Sequence, residues 1–100
     1  MKVEIALING VVHVSLGGKM YVQEAMKLRE EISAYVEKGY KDFDFDLGAL
    51  EYIDSTGLGV LIGLQKQAVS NNGNLTVRGL KGPVKEIFYL TRLNLVFKIQ

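Results

Sequence analysis

The sequence predicts a single α/β domain, in which one mixed β-sheet packs against three or four helices. Three observations lead to this fold class. The chain has 100 residues, of which 48% are hydrophobic and 23% are charged, as expected of one globular domain spanning residues 1–100. A β-hairpin signal near the N-terminus predicts an antiparallel pair of strands. Further along, strand-like and helix-like segments alternate, which predicts parallel strands joined by right-handed crossovers.

The hairpin signal is the pair Asn9-Gly10, because both residues readily adopt the positive φ angles of a two-residue turn. It separates β-rich runs at residues 3–8 and 11–16, and Gly17-Gly18 is expected to end the second strand. Apolar residues then recur at helical spacing over residues 21–38, and Gly39 marks the end of this helix.

The second half of the chain repeats the alternation of strands and helices. Residues 43–47 alternate Phe and Leu with Asp, which predicts a strand with one apolar and one acidic face. After a loop at 48–53, a very apolar helix is expected from about residue 56 to residue 70. A short strand at 75–78 and a helix at 83–90, opened by Pro83, should follow. Residues 95–99 are expected to add a last strand or to pack as a tail.

Composition and charge disfavour several classes of protein. The chain has no cysteine, which excludes disulfide scaffolds and thiolate metal sites. The formal net charge of +1 conceals ten acids and six bases in residues 1–54, against one acid and six bases in residues 55–100. This balance does not indicate nucleic-acid binding. No signal-peptide pattern opens the chain and no apolar run is long enough to span a membrane, so a cytoplasmic location without membrane attachment is expected.

Gly57, Gly59 and Gly63 lie where a strand is expected to meet a helix. Their spacing is one residue longer than the dinucleotide-binding fingerprint, and the acid that would hold the ribose is missing. No phosphate-binding loop occurs elsewhere. A tight turn and close packing of helix on sheet are therefore the expected roles of these glycines, and no cofactor is expected.

The remaining candidate ligands are three aspartates and one histidine. Asp42, Asp44 and Asp46 resemble the start of a calcium loop, but the glycine and glutamate that complete such a loop are missing. They are expected to form a partly solvated acidic face. Asp46, nearest the C-terminal end of the strand, is the one that could approach the loop at Ser55, where the apolar helix is expected to begin. His13 is expected to be structural, because one histidine without cysteine cannot assemble a typical zinc site. A nucleophile pair of Ser55 and His13 is formally possible but disfavoured, because no nucleophile elbow surrounds Ser55. Neither a metal site nor a catalytic site is predicted.

The most informative segment is Asp54-Ser55-Thr56, between a predicted strand and the apolar helix. A helix start leaves backbone N–H groups unpaired and carries partial positive charge, so it favours a capping oxygen or an added anion. Each of the three residues could supply the cap, and the sequence leaves open which one does. It also leaves open whether Ser55 only caps the helix or accepts a phosphate.

Four segments of the chain form a recognisable set. They are Asp46-Leu47, Tyr52-Ile53-Asp54-Ser55-Thr56-Gly57-Leu58-Gly59-Val60-Leu61, Asn72-Gly73-Asn74-Leu75 and Val84-Lys85-Glu86-Ile87-Phe88-Tyr89-Leu90-Thr91-Arg92-Leu93. Together they resemble the bacterial anti-sigma factor antagonists of the STAS domain family. The resemblance implies a mixed sheet with packed helices and a regulatory protein rather than an enzyme. It further implies that the unphosphorylated protein binds an anti-sigma factor and so releases a sigma factor. That anti-sigma factor is also a serine kinase, which phosphorylates Ser55, and a phosphatase reverses the switch.

One loop departs from the family pattern. Where the family shows Gly-Glu-Leu-Asp, Gly18 is followed here by Lys19-Met20-Tyr21, so both acidic positions are lost. In the family this loop lies near the phosphorylation site and contributes to partner contact. The expected partner-binding residues are therefore Lys19, Tyr21, Asp54, Ser55, Thr56, Gly57 and Leu58.

The departure favours an alternative function. The chain would then be a constitutive STAS binding module in a larger signalling or transport assembly, with Ser55 as a helix cap only. A small nucleotide-binding or hydrolytic enzyme is a third class, disfavoured by the missing phosphate loop and the lone histidine. The sequence leaves open the identity of the partner and whether the domain is a monomer or a dimer.

Overall fold

A computed structural model describes residues 1–100, and its strands and helices confirm the predicted α/β class. The elements are β1 (Lys2–Ile8), β2 (Val11–Met20), α1 (Val22–Glu37), β3 (Asp42–Ile53), α2 (Ser55–Ser70), β4 (Asn74–Arg78), α3 (Gly82–Leu90), a 3₁₀ turn (Leu93–Leu95) and β5 (Lys98–Ile99). They form one five-stranded sheet in the order β1-β2-β3-β4-β5. Because β1 is antiparallel to β2 and every later pair is parallel, the predicted mixed sheet is confirmed.

The hairpin turn forms at Asn9 and Gly10, whose φ angles are 51° and 80°. Ile8 pairs with Val11 directly across this two-residue turn, which fixes the register of the hairpin. Each later crossover steps to the next strand in the same direction, so right-handed connections place α1, α2 and α3 on one face of the sheet. None of these helices combines the length and the apolar character needed to cross a membrane.

Two strands are longer than the sequence pattern predicts. β2 continues past Gly17-Gly18 to Met20, and β3 continues through the expected loop to Ile53. The two extensions pair with each other through register shifts, between Ser15 and Gly17 and between Gly18 and Lys19. The expected loops are wrong because glycines interrupt the alternation of side chains while the backbone stays paired.

The core lies between the sheet and the three helices. On β2 and β3 alternate side chains face the helices, and α2 adds an apolar stripe spaced three or four residues apart. The largest fully buried side chains include Phe45, Phe88, Leu16, Met20, Leu28 and Ile32. α3 packs against the end of β3. The ring of Phe88 in α3 also contacts that of Phe97, just before β5, with centroids 5.6 Å apart.

The sheet face opposite the helices is polar, and three of its residues form what we call the Asp44 cluster: His13, Asp44 and Arg78. Asp44 is only 8% exposed. Its Oδ1 accepts a 3.0 Å hydrogen bond from Nε of Arg78, and its Oδ2 accepts a second guanidinium N–H. The same Oδ2 lies 3.3 Å from Nδ1 of His13. The acidic face expected of the aspartates is therefore partly neutralised, and His13 occupies a structural position.

Asp46 does not approach the Ser55 turn, contrary to the expectation from sequence. It lies in the middle of β3, seven residues before the strand ends at Ile53, which is roughly 23 Å along a strand. Its Oδ1 accepts a 2.9 Å hydrogen bond from the backbone N–H of Gly48. The expectation failed because the segment taken for a loop continues the strand away from Asp46.

Candidate functional site

α2 begins directly after β3, and Asp54 is its N-cap. The backbone of Asp54 is extended, and its Oδ1 accepts a 2.9 Å hydrogen bond from the N–H of Gly57. Its carbonyl accepts the first helical hydrogen bond, 3.0 Å from the backbone nitrogen of Leu58. This identifies the cap that the sequence left open, and the interpretation of Ser55 as the helix cap is wrong. The Asp54 carboxylate is also favoured by the positive end of the helix dipole.

Ser55 is the first residue of α2, and its side chain is exposed. Because Asp54 supplies the capping oxygen, the Ser55 hydroxyl is not needed to start the helix. Thr56 follows and is half-buried. The first backbone N–H groups of a helix lack helical acceptors and favour a nearby anion. The Ser55 hydroxyl is therefore placed where a phosphate could be added without unfolding the helix.

Gly57 and Leu58 are predicted as partner contacts, but both are buried. A Cβ on Gly57 would lie 2.6 Å from Cγ1 of Ile53 and 2.9 Å from Sδ of Met20, so only glycine lets the helix start pack this closely. Leu58 is 8% exposed and belongs to the apolar stripe of α2. Because the sheet covers them, these two residues support the Ser55 turn from beneath and do not form its outer surface.

The structure brings Lys19 and Tyr21 next to Tyr52, which precedes Ser55 by three residues in the chain. Lys19 pairs with Tyr52 near the ends of the parallel strands β2 and β3. The rings of Tyr21 and Tyr52 have centroids 5.2 Å apart, and the two residues are 50% and 43% exposed. Tyr52 was not among the residues predicted from the sequence. Its position next to Ile53, whose side chain faces the core, could have indicated that Tyr52 is exposed. We call Lys19, Tyr21, Tyr52, Ser55 and Thr56 the Ser55 surface.

A shallow groove between α1 and α2 adjoins the Ser55 surface at Thr56. Its lining includes Met26 of α1 and Gly59 and Gly63 of α2. A Cβ on either of these glycines would meet nothing within 4 Å. The close packing expected of all three helix glycines is therefore found only at Gly57, and the other two leave open space along the groove.

Residues 2–100 match the STAS domain family. The chain belongs to this family. One relative of this STAS domain is BtrV of Bordetella bronchiseptica, which is named as an anti-sigma factor antagonist. The two are 33% identical over 99% of this chain and 85% of BtrV. An anti-sigma-B factor antagonist of Staphylococcus epidermidis is 31% identical over 80% of this chain and 74% of its own length.

The fold of this STAS domain also matches a solved structure, the Bacillus cell fate determinant SpoIIAA in its phosphorylated form. The match has a TM-score of 0.81 and covers 99% of this chain and 91% of SpoIIAA. The two sequences are 16% identical, so this likeness supports the fold alone.

In this STAS domain the two candidate members of a serine–histidine pair lie far apart. His13 pairs with Asp44 in the middle of the sheet, on the face opposite the helices. Ser55 follows the end of β3 and starts a helix on the other face. Because a general base must lie within hydrogen-bonding reach of its nucleophile, His13 cannot activate Ser55.

Proposed function

We propose that this STAS domain is an anti-sigma factor antagonist controlled by phosphorylation of Ser55. The unphosphorylated protein binds an anti-sigma factor through the Ser55 surface and so releases a sigma factor for transcription. The anti-sigma factor is also the serine kinase that phosphorylates Ser55, and a phosphatase restores the active form. The protein is then a regulatory binding protein and not an enzyme. The observation that carries the proposal is an exposed serine at the first position of α2, next to a cap supplied by Asp54.

The relatives support the class of partner, because BtrV and the staphylococcal protein are both named as anti-sigma factor antagonists. The Ser55 surface supports the contact. It combines two exposed tyrosines with a serine and a lysine, and tyrosine is enriched at protein interfaces because its ring is apolar and its hydroxyl can bond. The family shows acids where Lys19 and Tyr21 stand, so the partner of this chain should present acceptors or acids to Lys19.

The chemistry of the switch follows from the position of Ser55. Phosphorylation adds a charge of about −1.5 to −2 and three acceptor oxygens. At a helix N-terminus this charge is tolerated, because the helix dipole and free N–H groups favour it. At an interface the phosphate would have to lose its bound water, and its bulk would have to fit between the two protein surfaces. Both requirements oppose docking. A loss of ~3 kcal/mol would weaken binding more than a hundredfold.

The proposal is tested with two substitutions at one residue. Ser55→Ala should bind the serine-kinase anti-sigma factor of the same organism as tightly as the unsubstituted, unphosphorylated protein does. Ser55→Asp should bind it at least about tenfold more weakly. Titration calorimetry measures both dissociation constants. Ser70→Asp is the matched control, because Ser70 is an exposed serine at the opposite end of the same helix.

The possible results separate the two parts of the proposal. If Ser55→Asp binds as tightly as Ser55→Ala, the switch is refuted while the antagonist function stands. If neither the unmodified protein nor Ser55→Ala binds any such anti-sigma factor, the antagonist function itself is refuted. If Ser70→Asp weakens binding as much as Ser55→Asp, the effect is one of charge in general and not of this surface.

A constitutive binding module remains the second candidate, and one observation favours it. Lys19 and Tyr21 occupy the two positions where the family has acids, next to Tyr52 on the Ser55 surface, so the kinase of the usual system would meet a different surface. Mass spectrometry separates the candidates. The protein is isolated from its own cells, and its intact mass and peptide map are measured with and without phosphatase treatment. A single phosphatase-sensitive phosphate on Ser55 supports the switch. An unmodified protein under every growth condition supports the constitutive module.

A further inference from the structure

The sheet has one long free edge. β1, with seven residues, is the outermost strand on one side, whereas the strand on the other side, β5, has only two. Long edge strands offer unpaired backbone groups to other strands, and proteins usually protect them with charges, proline or bulges. In β1 the charges are limited to Lys2 and Glu4, which pair with each other at 3.1 Å. Residues 5–8 carry no charge and no proline.

The hairpin register determines which backbone groups of β1 face outward. Ile8 and Val11 flank a two-residue turn, and such flanking residues bond to each other in hairpins of this type. Bonding to β2 then recurs at every second residue of β1. The N–H and C=O groups of Val3, Ile5 and Leu7 therefore point away from the sheet and have no strand beside them.

The side chains of these three residues also leave apolar surface at the edge. They alternate with the residues on the polar face, so they lie on the side of the helices. Val3 and Ile5 are only partly buried against the core, and Leu7 is 49% exposed. A groove between β1 and α1 follows the same edge, lined in part by Val3, Lys27, Leu28 and Glu31. An added strand would cover this apolar row and close the groove.

We propose that β1 pairs antiparallel with β1 of a second copy of this chain, around a two-fold axis at Ile5, to form a continuous ten-stranded sheet. In this register Val3 lies opposite Leu7 of the partner, Glu4 opposite Ala6 and Lys2 opposite Ile8. The outward-facing backbone groups of Val3, Ile5 and Leu7 all find partners, and no like charges oppose each other. A register shifted by two residues toward the N-terminus would place Glu4 against Glu4, which is unfavourable.

A second copy fits this edge on steric grounds as well. α1 packs over β2, so the two α1 helices would stand three strand spacings apart, or about 14 Å. This exceeds the 8–10 Å of directly packed helices, so the helices do not clash.

The first test is the state of association of the full chain, measured by sedimentation velocity over a wide range of protein concentration. Leu7→Lys places a charge at the edge and should raise the dissociation constant of the dimer by more than about tenfold. Leu95→Lys is the matched control, because Leu95 is 75% exposed and lies far from β1 in the fold. Circular dichroism should show that both variants fold like the unmodified protein. An unmodified protein that stays monomeric at every concentration overturns the proposal, as does a dimer that Leu95→Lys breaks and Leu7→Lys does not.

The second test checks the register and uses the absence of cysteine from the chain. In the proposed dimer the two Ala6 residues lie two positions apart along adjacent strands, or about 8 Å from each other. Ala6→Cys should therefore be linked into a covalent dimer by a bismaleimide of that length. Asn72→Cys, in an exposed turn after α2, should not be linked. Failure of Ala6→Cys to link in a sample that sediments as a dimer, or equal linking of the two variants, contradicts the β1 pairing.

Discussion

Two polar regions of the molecule invite comparison: the Asp44 cluster on the open sheet face and the Ser55 turn at the start of α2. Both place a carboxylate next to groups that could do chemistry. In the Asp44 cluster the Asp44 residue is 8% exposed, and both of its carboxylate oxygens contact cationic or potentially cationic side chains. At the Ser55 turn the Asp54 carboxylate accepts a backbone N–H, and the neighbouring hydroxyl is left outside this bond.

The difference shows how to separate a structural polar group from one available for recognition. In the Asp44 cluster the charged groups bond mainly to one another, so removal of one member leaves another unpaired. At the Ser55 turn the side chain of Asp54 caps the helix, and Gly57 allows the helix start to pack closely on the strand ends. The exposed hydroxyl of Ser55 can then change chemically while the fold stays the same. Substitutions in the two regions should therefore separate stability from binding.

The largest effect on stability is expected from Asp44→Ala. It removes the only buried charged side chain and leaves Arg78 and His13 without their partner. Arg78 can turn partly to solvent, so we expect a loss of about 2–3 kcal/mol in the free energy of unfolding. Urea denaturation measures it.

Asp46→Ala is the matched control for Asp44→Ala. Asp46 lies on the same strand and the same face but is exposed. Its single hydrogen bond to Gly48 predicts a loss of less than about 1 kcal/mol. Binding to the anti-sigma factor should be unchanged in both variants. Equal losses of stability at the two positions would show that the Asp44 cluster contributes no more than a surface aspartate.

The next largest effect on stability is expected at Gly57, with Gly59 of the same helix as its control. Gly57→Ala introduces a Cβ that would lie 2.6 Å from Ile53, so the strand ends or the helix must move. We expect a loss of about 1–2 kcal/mol, after the gain from the better helix former. Gly59→Ala meets nothing within 4 Å and should instead stabilise by up to about 1 kcal/mol. Thermal unfolding of the two variants would contradict this contrast if both shifts had the same sign.

Sequence reasoning predicted the features that depend on local signals. The Asn9-Gly10 hairpin, the three helices and the position of Ser55 at a helix start all follow from residues close together in the chain. The partners of Asp44 were not predictable in this way, because Arg78 lies 34 residues away and only the sheet brings it near. The full length of β3 was also missed, since it depends on pairing with a glycine-containing segment of β2.

The helix start at Ser55 was predicted in outline, and the structure adds the identity of its cap. Asp54-Ser55-Thr56 indicated a helix start, but three residues that can all cap a helix do not reveal which one does. The rotation of α2 about its axis then determines which of its side chains are exposed. With Asp54 as the cap, Leu58 faces the core and is only 8% exposed. The same rotation of the helix leaves the Ser55 side chain exposed.

Substitutions at Asp54 and Ser55, with small expected effects on stability, test which of the two residues supports the start of α2. Asp54→Ala removes the capping oxygen and the favourable charge at the helix start, so we expect a loss of about 1 kcal/mol in the free energy of unfolding. Ser55→Ala removes a hydroxyl that does not cap the helix, and alanine favours helix, so stability should change by less than about 0.5 kcal/mol. Urea denaturation of both variants, with Thr56→Ala as the neighbouring control, measures the difference.

The order of the two effects matters more than their size. If Ser55→Ala destabilised the domain as much as Asp54→Ala, the serine would contribute to the fold, and a phosphate there would act partly by disturbing the helix. If only Asp54→Ala destabilises it, the helix start is complete without the serine hydroxyl. Phosphorylation of Ser55 could then change what the surface binds without changing the fold that presents it, because the capping bond that starts α2 lies entirely within Asp54 and Gly57.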